Sequence, residues 1–87
     1  MSRAKKFIQW WLAELDQYGN PTLIDGAHSS RAGCNKAAYL YQNLNCITRK
    51  DRRFAVARVE LSECVPSAAG VKQWAINEIN GVKPHAD

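Results

Sequence analysis

The chain lacks any apolar run approaching the about 18 residues that cross a bilayer, so the sequence predicts no membrane span. Cysteines are few: Cys34, Cys46 and Cys64, an odd number with no CxxC pair. An odd count cannot pair completely within one chain, and a secreted disulfide scaffold carries more. Structural zinc takes four ligands at short spacings. Adding His28 and His85 gives five candidate ligands, but they are scattered along the chain. No metal and no cofactor are therefore expected, and the cysteines read as buried or half-buried free thiols. Helix-turn-helix patterning, zinc-finger spacing and paired RNP-type aromatics are all missing. So are internal repeats and low-complexity segments.

The start, Met1-Ser2-Arg3-Ala4-Lys5-Lys6, is basic like the head of a signal peptide. The next apolar stretch is broken by Gln9 and Glu14, and no small-residue cleavage site follows. The chain is read as unprocessed and cytoplasmic. Its 87 residues suit one small α/β domain with mobile ends at 1–5 and 83–87. Hydrophobic content of 46% and charged content of 23% argue against disorder. A net charge of +4 mildly favours an acidic partner.

What the chain does have is an adjacent indole pair, Trp10-Trp11, inside an aromatic and branched run at residues 6–16. This run is predicted as the first strand. The cluster Gln17-Tyr18-Gly19-Asn20-Pro21 reads as a turn, with Gly19 and Asn20 supplying positive φ. Residues 22–25 return as a short second strand, ended by Asp25-Gly26. Ser29 or Ser30 then caps a helix running to about Asn45, whose apolar stripe is Cys34, Ala37, Ala38, Leu40, Tyr41 and Leu44. A third strand is expected at 54–64, stopped by Pro66. A second helix, capped by Ser67, follows at about 68–80, with Val71, Trp74, Ala75 and Ile79 on one side and Gly81 at its C-cap.

The expected fold class is α+β: a two-layer ββαβα sandwich with a three-stranded sheet in the order 2-1-3 and two helices on one face. The second and third strands, joined through a helix, should run parallel on either side of the first. Successive side chains of a strand point to opposite faces, so one indole enters the core and the other faces away. Small residues favour the helix side, which places Ala55, Ala57, Val59 and Leu61 inward. The open face then carries Ile8, Trp10, Leu12, Phe54 and Val56. Such a stripe exposes a few hundred Å², near the upper end for an ordinary monomer, and indoles are enriched at interface centres. It is either an intermolecular surface or is wrapped by the C-terminal helix or tail.

The second candidate is basic. Arg49, Lys50, Arg52 and Arg53, with Asp51 among them, suit phosphates or an acidic protein surface, or are simply solvated. The start of the third strand should lie ~30 Å from Arg3, Lys5 and Lys6, so the two basic clusters do not merge into a groove. Asp25, His28, Ser29 and Ser30 hold the residue types of a hydrolase, but a local string does not bring nucleophile, base and orienter together. A turn plus a helix cap is the simpler account, and no catalytic residues are expected.

Residues 11–21 (Trp-Leu-Ala-Glu-Leu-Asp-Gln-Tyr-Gly-Asn-Pro), residues 25–33 (Asp-Gly-Ala-His-Ser-Ser-Arg-Ala-Gly) and residues 54–61 (Phe-Ala-Val-Ala-Arg-Val-Glu-Leu) together resemble small accessory proteins of temperate bacteriophages, over most of residues 7–82. The resemblance implies a protein directed at host machinery, of which anti-CRISPR inhibitors are the best-known kind. It supplies no catalytic residues. The expectation is a non-enzymatic inhibitor that binds a host protein or ribonucleoprotein complex by steric occlusion or forced oligomerisation, itself a homodimer. The alternative is a small nucleic-acid-binding regulator that uses loop 49–53.

Overall fold

The structure, a computed structural model, describes residues 6–48 and 51–83, with the backbone alone for 45–48. Strand β1 spans Phe7–Leu15, β2 Pro21–His28, helix α1 Arg31–Thr48, β3 Arg53–Leu61 and β4 Ile76–Gly81. Two single 3-10 turns, Ala68–Gly70 and Gln73–Ala75, lie between β3 and β4. The four strands form one sheet in the order β2-β1-β3-β4, antiparallel at every pairing. The class is α+β, as the sequence predicts, and β1 lies between β2 and β3. The expected mobile ends, apart from Lys83, lie outside the described residues.

Asp16 builds the first hairpin. Its Oδ1 accepts from the backbone N–H groups of Tyr18 and Asn20, both at 2.8 Å, and Gly19 turns the chain at a φ of 84°. Asn20 does not share that positive φ, contrary to expectation; among the described residues only Gly19 has one. Ser30 caps α1, its Oγ accepting from the N–H of Gly33 at 3.1 Å.

The expected second helix does not form. Gly70 and the β-branched Val71 weaken a helix there, and Ile76, Asn77, Ile79 and Asn80 weaken it further along. Pairing with β3 offers residues 76–81 a better use of their backbone. The register of β3 with β4 shifts between Arg58 and Val59, where Val59 faces Ile76 and Arg58 faces Glu78. The extra residue, Asn77, brings Ile76 and Ile79 to one face at a spacing of three. A bulged strand thus presents the spacing of a helix. Gly81, expected as a helix C-cap, sits in β4 opposite Ala55. The second strand is also longer than expected and runs through Asp25-Gly26 to His28.

The assignment of faces is reversed. Helix α1 covers the Leu12, Phe54 and Val56 side, onto which Cys34 and Ala38 pack. The opposite face, with Trp11, Ala13, Ala57 and Val59, is covered by residues from the β3–β4 connection, including Ala68, Val71 and Ala75. Size complementarity explains the exchange. Small helix residues meet large sheet residues on one side. On the other, small sheet residues let an irregular segment approach, and Trp11 fills the remaining space.

Trp11 is 2% exposed and sets two further requirements. Gly26 lies flat against the indole: a Cβ there would stand less than 3.0 Å from Trp11 Cδ2, Cε3 and Cγ. Gln9, also buried, accepts the indole N–H at 2.9 Å and donates to the carbonyl of Val65 at 3.2 Å and to Cys64 Sγ at 3.3 Å. This amide satisfies the indole and anchors the connection over it.

Two stability predictions follow from that contact. Gly26→Ala should lower stability by about 1–3 kcal/mol, the usual cost of overpacking. Gln9→Leu should cost about 1–3 kcal/mol by leaving the indole N–H and the Val65 carbonyl without partners. Urea unfolding of each variant measures both. An unchanged midpoint for Gly26→Ala would show that the indole does not pack on that backbone.

Candidate protein-binding surface

Of the apolar stripe predicted to bind a partner, three members are interior: Leu12, Phe54 and Val56 are buried beneath α1. They cannot form an open face, because the helix expected on the other side lies on them. Trp10 is half-buried against the same cluster. Ile8, 38% exposed, stands near a polar strip across the sheet. In that strip Arg58 Nη1 donates to Glu60 Oε1 and Asn77 Oδ1, each at 2.6 Å, and Lys6 Nζ lies 3.8 Å from Glu60 Oε2.

The basic candidates separate. Arg49 and Lys50 lie outside the described residues. Arg52 forms a two-pronged contact with Glu14, its Nη2 at 2.5 Å and its Nε at 3.2 Å, and its guanidinium lies 4.9 Å from the centre of the Phe54 ring. The hydrogen bond to Glu14 raises the Arg52 pKa further. Arg53 is exposed and pairs with Leu15, at the far end of β1 from Phe7. A cleft of about 800 Å³ at this end is lined by Glu14, Asp16 and Asp51 as well as by Arg52, Arg53 and Tyr18. Its charge is mixed, unlike a phosphate-tracking groove.

The hydrolase-like string makes local contacts. His28 Nε2 lies 3.2 Å from Asp25 Oδ2, and the Ser30 hydroxyl is engaged at the helix cap. Cys34 is buried, and burial, reinforced by the charge of Asp25, pushes its thiol up to about 12. It stays protonated at neutral pH and is a poor nucleophile. Among the described residues no three His, Cys, Asp or Glu side chains gather as a metal site.

The surface the sequence reading missed is on α1. At 100° per residue the six apolar positions spread over ~160° of the helix, wider than the ~100° stripe one packed face requires. That width was the available signal. Cys34 and Ala38 face the sheet, and the Tyr41 ring meets Phe54 with centroids 6.0 Å apart. Ala37, Leu40 and Leu44 form an adjoining line, in which Leu40 is 54% and Leu44 68% exposed. Helix α1 carries Arg31 and Lys36 and no acidic residue. A further large apolar side chain, Trp74, expected on the apolar side of a second helix, is 82% exposed in the second 3-10 turn.

Comparison with protein-family models, with curated proteins and with solved structures found no match. Among the described residues no helix is long and apolar enough to cross a membrane.

Acid should weaken the hairpin and the polar strip first. The N–H of Asn20 above all, and that of Tyr18, lower the Asp16 pKa from its ordinary 3.8. The hydrogen bond from Arg58 lowers that of Glu60 from 4.5. A lowered folded-state pKa gives stability that is fully present above the ordinary value and is lost as pH falls through the folded one. Thermal midpoints should therefore hold above about pH 5 and fall below about pH 4. Asp16→Ala should be less stable at neutral pH and show a shallower acid limb. A parallel limb would remove Asp16 from the account.

Proposed function

We propose that this chain is a non-enzymatic binding protein of bacteriophage type that occupies a surface of a bacterial host protein complex, as an anti-CRISPR-like inhibitor in the host cytoplasm. One observation carries the binding reading: α1 is apolar on two adjoining faces, and the sheet takes up one of them. Leu40 and Leu44 stand more than half exposed on the other. Large exposed apolar side chains on a small domain mark a surface for another protein. The absence of acidic residues along α1 suits a target with an apolar strip edged by carboxylates. The host-directed role rests on the resemblance of residues 7–82 to phage accessory proteins.

Inhibition here needs no chemistry. A rigid domain laid over a working surface excludes the natural ligand by volume. The nucleic-acid alternative draws less support, because Arg52 is engaged by Glu14 in a cleft that also holds Asp16 and Asp51.

The test is plating of a CRISPR-sensitive phage on an immune host that expresses the protein. Expression should raise plating efficiency. The pair Leu40→Lys and Leu44→Lys should abolish the gain and weaken target binding by about tens-fold or more, as loss of an interface centre does. Thermal stability should hardly change, since both positions are exposed. Binding by wild type should survive moderate salt, whereas phosphate-driven binding falls steeply. Unchanged plating with well-folded wild-type protein would overturn the anti-CRISPR role, and unchanged binding by the double variant would overturn the α1 surface.

A further inference from the structure

The sheet has two edges, and they are guarded differently. The β2 edge begins at Pro21, carries Asp25, and pairs with β1 through register shifts on both sides of Leu12. Proline, charge and bulges are the usual means of keeping an edge from pairing with another chain. The β4 edge, Ile76–Gly81, contains no proline, and its one charged side chain is Glu78; its bulge, at Asn77, lies near the start of the strand and leaves Glu78–Gly81 in regular register. Ile79, facing away from α1, is 40% exposed. Among the described residues no strand pairs with the outer side of β4.

We propose that the occupant is a second copy of this chain, paired antiparallel through β4 about a two-fold axis at Ile79. The register follows from symmetry and charge. A two-fold axis normal to the sheet keeps each face on its own side, so one residue of β4 must sit opposite its own copy. With Glu78 on the axis, two carboxylates face each other, which is unfavourable. With Asn80 there, Glu78 falls opposite Val82, a charge against an apolar side chain. With Ile79 there, isoleucine meets isoleucine on one face. On the α1 face Glu78 meets Asn80 of the copy.

That last pairing brings opposite charges together. Asn80 Oδ1 already accepts from Arg31 Nη2 at 3.4 Å, so an exposed guanidinium stands beside the position Glu78 would reach. Among the described residues Glu78 pairs with no cation, and Arg31 meets no carboxylate. The two-fold axis supplies each with its complement, twice. The two four-stranded sheets then join into one. The line Ala37, Leu40 and Leu44 is not used, so each dimer offers that surface in duplicate.

Sedimentation at millimolar chain concentration tests this without reference to any target, so its outcome is separable from that of the plating assay. Wild type should have twice the 9.8 kDa chain mass. Ile79→Lys and, separately, Glu78→Arg should sediment as monomers with unchanged circular dichroism, and Glu78→Arg combined with Arg31→Glu should restore the dimer. A monomeric wild type, a dimer that survives Glu78→Arg, or a charge exchange that fails to restore association would each overturn the proposal. If Ile79→Lys unfolds, the charge-exchange pair alone decides.

Discussion

The Trp11 indole is the contact on which the other elements depend. It fills the space between the sheet and the β3–β4 connection. Its ring requires a residue without Cβ at Gly26, and its N–H requires the Gln9 carbonyl. Gln9 in turn holds Val65 and Cys64. One side chain therefore sets how closely β2 approaches and where the connection crosses. Burying so large a ring is worth several kcal/mol, as the about 3–5 kcal/mol lost on truncating such residues indicates, but only while its polar atom is satisfied.

With that face closed by an irregular segment, α1 is left to close the other. An 18-residue helix reaches about 27 Å. Its Cys34 and Ala38 engage the sheet core, and Tyr41 reaches Phe54. The leucines flanking this seam, Leu40 and Leu44, stay more than half exposed. The exposed apolar line on α1 is thus a by-product of how the core is divided: the connection closes one sheet face, and α1 is apolar over more than its seam with the other.

Much of this was legible in the residues. The aromatic and branched run around Trp10-Trp11, the Gly19 turn and the Ser30 cap correctly indicate β1, the first hairpin and α1. So does the antiparallel pairing of residues 6–16 with 54–64, since Phe7 lies opposite Leu61 and Leu15 opposite Arg53. Trp11, rather than Trp10, is the more deeply buried indole, as the sequence predicts. What covers each face was not legible, because strand alternation separates two faces without saying which one meets the helix. Residues 76–81 resemble a helix in sequence because Val71, Trp74, Ala75 and Ile79 recur at helical spacing, but these positions run from the end of one 3-10 turn through a second and into a strand. The binding stripe went to Leu12, Phe54 and Val56 for the same reason: once the helix changes sides, they become core.

The three tryptophans end in three different solvents. Trp11 is sealed from water, Trp10 is half-buried beside α1 and Trp74 is 82% exposed. Indole emission shifts to longer wavelength as its surroundings become more polar. The protein therefore contains its own graded optical probe, with a blue component from the sealed layer and a red one from the surface. Water entering under the connection would redden the first, and a partner settling over the second 3-10 turn would blue-shift the second.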